Sequence, residues 1–269
     1  MNVTQDYSGL RRIRRWSRFA WANVVVTTTA RVIERFLRAR ALRATEMDHR
    51  RAVRDTYDRI ATHFASTREY AWPEVEAFLE EPAPKGAVGL DLGCGNCRHA
   101  QLLADADGID RVIGLDVSRG LLETGRERAH EREFDVSLVQ GDASSLPLTD
   151  DSVDVAVYVA TLHHLPTRAT RLASLDELAR VLAPDGRALV SAWSTAHDRF
   201  DETEGFDTTV EWTLPGGEAV DRFYHIYDPA EFERDLEASA LEVVEWELSS
   251  GNCYATVAGG ERVPRAETE

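Results

Sequence analysis

The sequence predicts a doubly wound α/β fold, with a mostly parallel sheet and helices on both faces. Three observations carry this. Short apolar segments alternate with helix-periodic segments from residue 88 to residue 257. Several of those segments are apolar almost throughout, as strands buried on both faces must be. A glycine-rich turn follows the first of them.

The elements read in order as follows. A helix opens at Arg51, with Val53, Tyr57, Ile60 and Phe64 on one apolar face. A second opens at Pro73, a favoured first helical position, with Val75, Phe78 and Leu79 facing inward. Val88 to Leu92 is the first strand, and the helix after its turn runs through Leu102 and Leu103. Arg111 to Leu115 is the second strand, and Ser118 can cap the helix that runs to about Glu131. Phe134 to Val139 and Val153 to Ala160 are the third and fourth strands. A helix over 167–182 is stopped by Pro184, Asp185 and Gly186, and Arg187 to Trp193 is the fifth strand. After a polar insertion, Asp228 and Pro229 open a helix with Phe232 and Leu236 inside. Leu241 to Leu248 and Asn252 to Val257 close the sheet around a Ser-Gly turn.

Charge divides the chain. Residues 1–46 carry ten arginines against three acidic residues, a net of +7, whereas residues 47–269 carry a net of −23. The domain reading is therefore a basic extension over 1–46, a catalytic-size domain over 47–260 and an acidic tail over 261–269. The extension pairs Arg11, Arg12, Arg14 and Arg15 with an uncharged run from Phe19 to Ala30. An RNA-binding arm, a twin-arginine export signal, an accessory helix and sequence upstream of a start at Met47 all fit it. One lysine, Lys85, stands against thirty arginines and 47 acidic residues, which suits a salt-adapted cytosol; a high-GC codon bias is the alternative for the arginine excess. Three cysteines give no disulfide framework and suit a reducing cytoplasm. No run of 18 apolar residues is present, so no membrane partner is expected.

The turn after the first strand reads Asp91-Leu92-Gly93-Cys94-Gly95-Asn96-Cys97-Arg98. A dinucleotide fingerprint needs Gly or Ala where Arg98 stands, so a pyrophosphate is disfavoured. Asp91, Asp116 and Asp142 fall at three successive strand ends, on the rim where such sheets bind ligands. A carboxylate can hold an ammonium at Asp91, two ribose hydroxyls at Asp116 and an adenine amino group at Asp142. Each acid alone is also a candidate helix cap or solvated turn. Cys94 and Cys97 form C-x-x-C, but no second pair stands at metal spacing, so no metal is assigned.

These residues, with Asp151-Ser152-Val153-Asp154 before the fourth strand, resemble the class I methyltransferases. The resemblance implies a Rossmann-like seven-stranded sheet whose last strand is antiparallel, and S-adenosylmethionine as cofactor. It implies a cofactor set of Arg68, Asp91, Gly93, Cys94, Gly95, Asp116, Val117, Asp142, Ala143 and Ala160. The third glycine of that class's loop is Cys97 in this chain. Further blocks narrow the resemblance: Tyr57-Asp58-Arg59-Ile60-Ala61, Ser66-Thr67-Arg68, Trp72-Pro73, Leu162-His163-His164-Leu165, Arg222-Phe223-Tyr224-His225 and Gly251-Asn252-Cys253-Tyr254. Over about residues 55–258 the chain is similar to the tRNA wobble-uridine carboxymethyl methyltransferases, which esterify a uridine side-chain carboxylate. That implies a tRNA substrate, a small zinc-binding activator protein as partner, and a cytoplasmic setting. Arg68, His163, His164, Arg222 and His225 become the catalytic candidates, and Trp72, Tyr224 and Asn252 the substrate contacts. A carboxylate is ionised near neutral pH, so the reaction asks for positioning cations rather than a base. A small-molecule methyltransferase and a non-catalytic cofactor-binding protein are the competing readings.

Overall fold

A computed structural model describes residues 47–260. The extension over 1–46 and the tail over 261–269, which carry two of the domain expectations, lie outside the described residues.

Helix α1 occupies residues 47–66, starting before Arg51. It is followed by α2 (Pro73–Leu79), β1 (Ala87–Leu92), α3 (Arg98–Asp105), β2 (Ile109–Asp116), α4 (Arg119–Arg132) and β3 (Ser137–Gln140). Then come β4 (Val153–Tyr158), a 3₁₀ turn (Leu162–His164), α5 (Arg168–Val181) and β5 (Leu182–Trp193). The C-terminal part holds β6 (Phe206–Thr213), β7 (Ala219–Ile226), α6 (Pro229–Glu237), β8 (Leu241–Ser249) and β9 (Asn252–Gly259).

Seven strands form one sheet in the order β3-β2-β1-β4-β5-β9-β8. The pairs among β1 to β5 are parallel, and β9 runs antiparallel to both β5 and β8. The mostly parallel sheet with an antiparallel last strand is therefore as expected. Every residue of β1 is buried, and so are Val153, Val155, Val157 and Tyr158 of β4, because helices cover both faces at the sheet centre. One core contains Leu90, Leu92, Leu175, Leu178 and Phe232; the other contains Cys97, Leu103, Val112 and Val157.

Local chemistry fixes the helix starts. Ser118 accepts from the Leu121 N–H (3.1 Å), and Asp228 accepts from Ala230 (2.9 Å) and Glu231 (3.2 Å) ahead of Pro229. Several boundaries differ from the sequence reading. β3 is shorter than Phe134 to Val139 and shifted toward its C-terminal end, and β4 ends at Tyr158, since Ala160 turns into a left-handed conformation (φ 55°). β5 begins at Leu182 and passes through Pro184-Asp185-Gly186 with a register irregularity against β4.

The polar insertion contains β6 and β7, a two-stranded antiparallel sheet of its own. Its exposure alternates along β6, with Val210 buried and Phe206, Thr208 and Trp212 half-buried between exposed neighbours. Trp212 packs on Phe64 of α1 (ring centroids 5.3 Å apart) and donates to His63 Nδ1 (3.1 Å). Val220 joins Tyr57, Ile60 and Leu121 in a small core. The hairpin is thereby held over the carboxyl ends of the central strands.

Cys97, the departure in the glycine loop, adopts φ 62° at the N-terminal cap of α3. A β-carbon in that region costs about 1 kcal/mol or more. Its side chain is fully buried, and its Sγ rests against Gly125 of α4, where an added Cβ would lie 2.6 Å from the sulfur. Gly125→Ala therefore destabilises the fold by about 1–3 kcal/mol, through overpacking. Adding Cys97→Ala to that variant recovers most of the loss. Denaturant unfolding of the two single variants and the double variant checks the coupling.

Candidate active site

Two clefts meet at the carboxyl ends of β1, β2, β4 and β5. The first, about 770 Å³, has Gly93 and Gly95 on one side, Leu115, Asp116 and Val117 at the back, and Gly141, Asp142 and Ala143 beyond. Arg50, Val53 and Tyr57 of α1 close its front. The second, about 1070 Å³, lies under the hairpin and shares Tyr57, Phe64, Gly93, Gly95, Ala160 and His164 with the first.

Gly93 stands at the junction with φ 77°, and a Cβ there would lie 2.2 Å from Thr161 Oγ1. Only glycine allows this crossing of the β1 and β4 ends. Asp116 accepts from the N–H groups of Gly95 (2.9 Å) and Ser118 (2.8 Å), which ties the loop to the end of β2. Burial pushes its pKa up to about 6, against the lowering effect of those hydrogen bonds. Asp142 accepts from the Ser144 N–H (2.8 Å) and hydroxyl (2.7 Å), and its second oxygen takes Arg50 Nη1 (2.8 Å).

Asp91 departs from its expected place. It lines neither cleft; its buried carboxylate accepts from the Ala100 N–H (2.8 Å) and anchors the first turn of α3. The reason is that β1 is covered on both faces, so its last side chains point into helices rather than solvent. Burial pushes Asp91 up to about 7.

In the second cleft, Arg222 and Tyr224 project from one face of β7. Arg222 is 6% exposed, donates from Nη1 to the Tyr224 hydroxyl (2.7 Å), and has no partner at Nε. Its guanidinium lies 4.9 Å from the Trp212 ring centre, and that of Arg68 lies 4.5 Å from Phe64. Burial and the neighbouring Arg222 charge push Arg68 down. Trp72 and Asn252 line the same cleft, as does Cys94.

The histidines are held by structure. His163 Nδ1 accepts the Trp193 N–H (2.9 Å). His164 Nδ1 donates to the Phe223 carbonyl (2.9 Å), which leaves Nε2 to accept the Tyr57 hydroxyl (2.8 Å). Both rings stay neutral: burial, reinforced by Arg222, pushes His163 well down and His164 down to about 4. His225 is a correction. Strand alternation turns it to the face away from Arg222 and Tyr224, where it bridges Asp207 (2.7 Å) and Glu231 (3.0 Å), lining neither cleft.

Several lining residues escaped the sequence reading. Arg50 shares the helical stripe of Val53 and Tyr57, a signal that extends the apolar face by one turn. Tyr57 reads from sequence as core and as part of a block shared with the resembling family, with no site role of its own. Asn96 donates to the carbonyls of Ala65 (3.3 Å) and Arg68 (2.9 Å), holding the end of α1 to the loop. Arg98, His99 and Arg199 also line the second cleft, and no local signal marks them. Among the described residues no aspartate or glutamate lines that cleft.

The sheet order, the glycine crossing and the acid-rimmed first cleft define an S-adenosylmethionine-dependent methyltransferase with a Rossmann-like sheet. The Methyltransferase domain family matches residues 90–190. A putative methyltransferase of Encephalitozoon cuniculi is 31% identical over 183 residues, which cover 66% of this chain and 80% of the relative. The chain belongs to this methyltransferase family. A tRNA (carboxymethyluridine(34)-5-O)-methyltransferase of Arabidopsis thaliana is 34% identical over 173 residues, covering 64% of this chain and 39% of the relative. The chain spans less than two thirds of the length of several such relatives. A chain from the complex between the Haloferax volcanii Trm112 methyltransferase activator and a putative methyltransferase matches with a TM-score of 0.58. It is 19% identical and covers 79% of this chain and all of that one, a likeness of fold. Among the described residues no helix is long and apolar enough to cross a membrane.

The cofactor fits the first cleft: Asp116 and Asp142 supply acceptors around an apolar floor of Leu115, Leu121 and Ala143. The ligand-free chain carries a pH signature. Asp91 and Asp116 hold protons to higher pH when folded than when unfolded, where carboxyls ionise near 4. Their stabilising contribution is full below about pH 4 and lost as pH rises through about 6 and 7. Asp91→Asn, whose amide oxygen still accepts from Ala100, loses less melting temperature than wild type between pH 5 and 7.5. Parallel melting curves would refute the shift.

Proposed function

We propose that this methyltransferase esterifies the carboxylate of a 5-carboxymethyl-type uridine at the tRNA wobble position. One observation carries the reading: although residues 47–269 carry a net charge of −23, the second cleft holds Arg68, Arg98, Arg199 and Arg222 and, among the described residues, no carboxylate. A nearly buried guanidinium without a counterion is costly unless an anion meets it there. The relatives named as tRNA (carboxymethyluridine(34)-5-O)-methyltransferases, though longer, support the choice of acceptor.

The bound cofactor supplies an electrophilic sulfonium methyl group. Asp116 would accept hydrogen bonds from its ribose hydroxyls. Asp142, paired with Arg50 in the ligand-free chain, would accept from the adenine amino group, with Val117 and Ala143 beside the base. Gly93, Cys94, Gly95 and Ala160 would leave room for the methionine portion, and Arg68 would hold its carboxylate end. Asp91 acts on the cofactor indirectly, by seating α3.

Arg222 holds the acceptor carboxylate in line, and its hydrogen bond to Tyr224 fixes its direction. No proton has to leave the acceptor, which agrees with His163 and His164 being neutral and engaged. They position the 3₁₀ turn beneath the reacting groups. Trp72, Tyr224 and Asn252 contact the nucleoside. His225 braces the hairpin from behind. A Trm112-like activator is the expected partner, supported by the fold neighbour solved with one. A salt-rich cytoplasm is the expected setting, supported by the acidic, lysine-poor composition.

Nucleoside mass spectrometry tests the reaction, after incubation with S-adenosylmethionine and an anticodon stem-loop bearing 5-carboxymethyluridine. The expected product is the methyl ester; methylation of small acids alone removes the proposal. Arg222→Ala lowers kcat/KM by about a hundredfold while calorimetric binding of S-adenosylhomocysteine persists. Loss of that binding would refute the role of Arg222.

A further inference from the structure

The second cleft contains a group that esterification of one carboxylate does not use. Arg98 and His99 open α3, whose N-terminal cap, Cys97, makes no side-chain cap, while the buried carboxylate of Asp91 already takes the Ala100 N–H. The Arg98 guanidinium lies 5.3 Å from the Trp72 ring centre, and its Nη1 donates to the Tyr70 carbonyl (3.2 Å). No carboxylate among the described residues forms an ion pair with Arg98, Arg68 or Arg222.

These three cations stand in a row. Burial and Arg68 push Arg98 down to about 10, and burial and Arg222 push Arg68 down in turn. Beside Arg98, His99 is 5% exposed and packs edge-on against Trp72, and its Nε2 has no hydrogen-bond partner. Burial and the Arg98 charge hold the ring neutral, down to about 3. Buried polar nitrogens are normally satisfied. This exception lies beside Arg98, whose one nearby opposite charge, the Asp91 carboxylate, is already engaged with the Ala100 N–H and forms no ion pair with it.

We propose that Arg98, His99 and Trp72 form a second anion subsite, which takes a phosphodiester group next to the acceptor nucleoside. This rests on the RNA reading above. A phosphodiester is a permanent monoanion with acceptor oxygens only. It matches one guanidinium and one neutral imidazole N–H. A free small acid has a single anionic group, which Arg222 takes, and it leaves this subsite empty. The subsite thus separates a nucleotide chain from a small acid.

The test uses wild type, Arg98→Ala, Arg98→Lys and His99→Phe with two acceptors, the anticodon stem-loop and free 5-carboxymethyluridine nucleoside. In Arg98→Ala, KM rises more for the stem-loop than for the nucleoside. The slope of log affinity against log salt for the stem-loop falls by about 0.7, the loss of one single-strand phosphate contact. Arg98→Lys, which keeps the charge, restores the slope. His99→Phe, which keeps the packing on Trp72, raises the stem-loop KM without changing the slope. An unchanged slope in Arg98→Ala overturns the subsite while the RNA reading stands. Equal losses on both acceptors, or weakened S-adenosylhomocysteine binding, overturn it by assigning Arg98 to the acceptor carboxylate or the cofactor. If wild type methylates the nucleoside but not the stem-loop, the RNA reading itself fails and the subsite with it.

Discussion

The carboxylate of Asp116 is the point on which the site depends. It takes one N–H from the glycine loop at Gly95 and one from the start of α4 at Ser118. Two hydrogen bonds to a buried anion thereby join the ends of β1 and β2 to the helix that follows. Ser118 in turn donates to Asp58 of α1 (2.7 Å), and Gly120 N–H reaches the same oxygen (2.9 Å). The front wall, the loop and the rim of the first cleft are one hydrogen-bonded assembly. A ligand entering there meets acceptors already held in place, so little ordering is left for binding to supply.

Around that assembly the chain separates its charges. The surface of the domain is dense in carboxylates, which keeps a protein hydrated and dispersed. The second cleft reverses this pattern, with its guanidiniums laid on aromatic faces: Arg222 on Trp212, Arg68 on Phe64, Arg98 on Trp72. Aromatic faces give a cation partial compensation without neutralising it. The cations thus survive burial and remain available to an anion. An acidic exterior lowers non-specific attraction for RNA phosphates, and in the proposed reading the cleft supplies the local attraction that the exterior lacks.

The sequence by itself determined the layered fold. Alternating apolar strands and amphipathic helices have one economical packing, and Gly93, Ser118, Asp228 and Pro229 mark turns and caps through local chemistry that no distant contact has to supply. The rim positions of Asp116 and Asp142 follow from strand order for the same reason. Tertiary structure decided the rest. Asp91 has the same local signature as Asp116, yet coverage of β1 turned it into an anchor for α3. His225 sits three residues from Arg222 in sequence, and the two-residue period of β7 put it on the other face. Cys97 is tolerable in a glycine position only because Gly125, 28 residues away, leaves space for its sulfur. The cation row joins residues of the turn after α1, of α3 and of β7, which no spacing along the chain connects. Strand and helix periodicity is a property of neighbours in sequence, whereas burial, opposing charge and available volume are properties of neighbours in space.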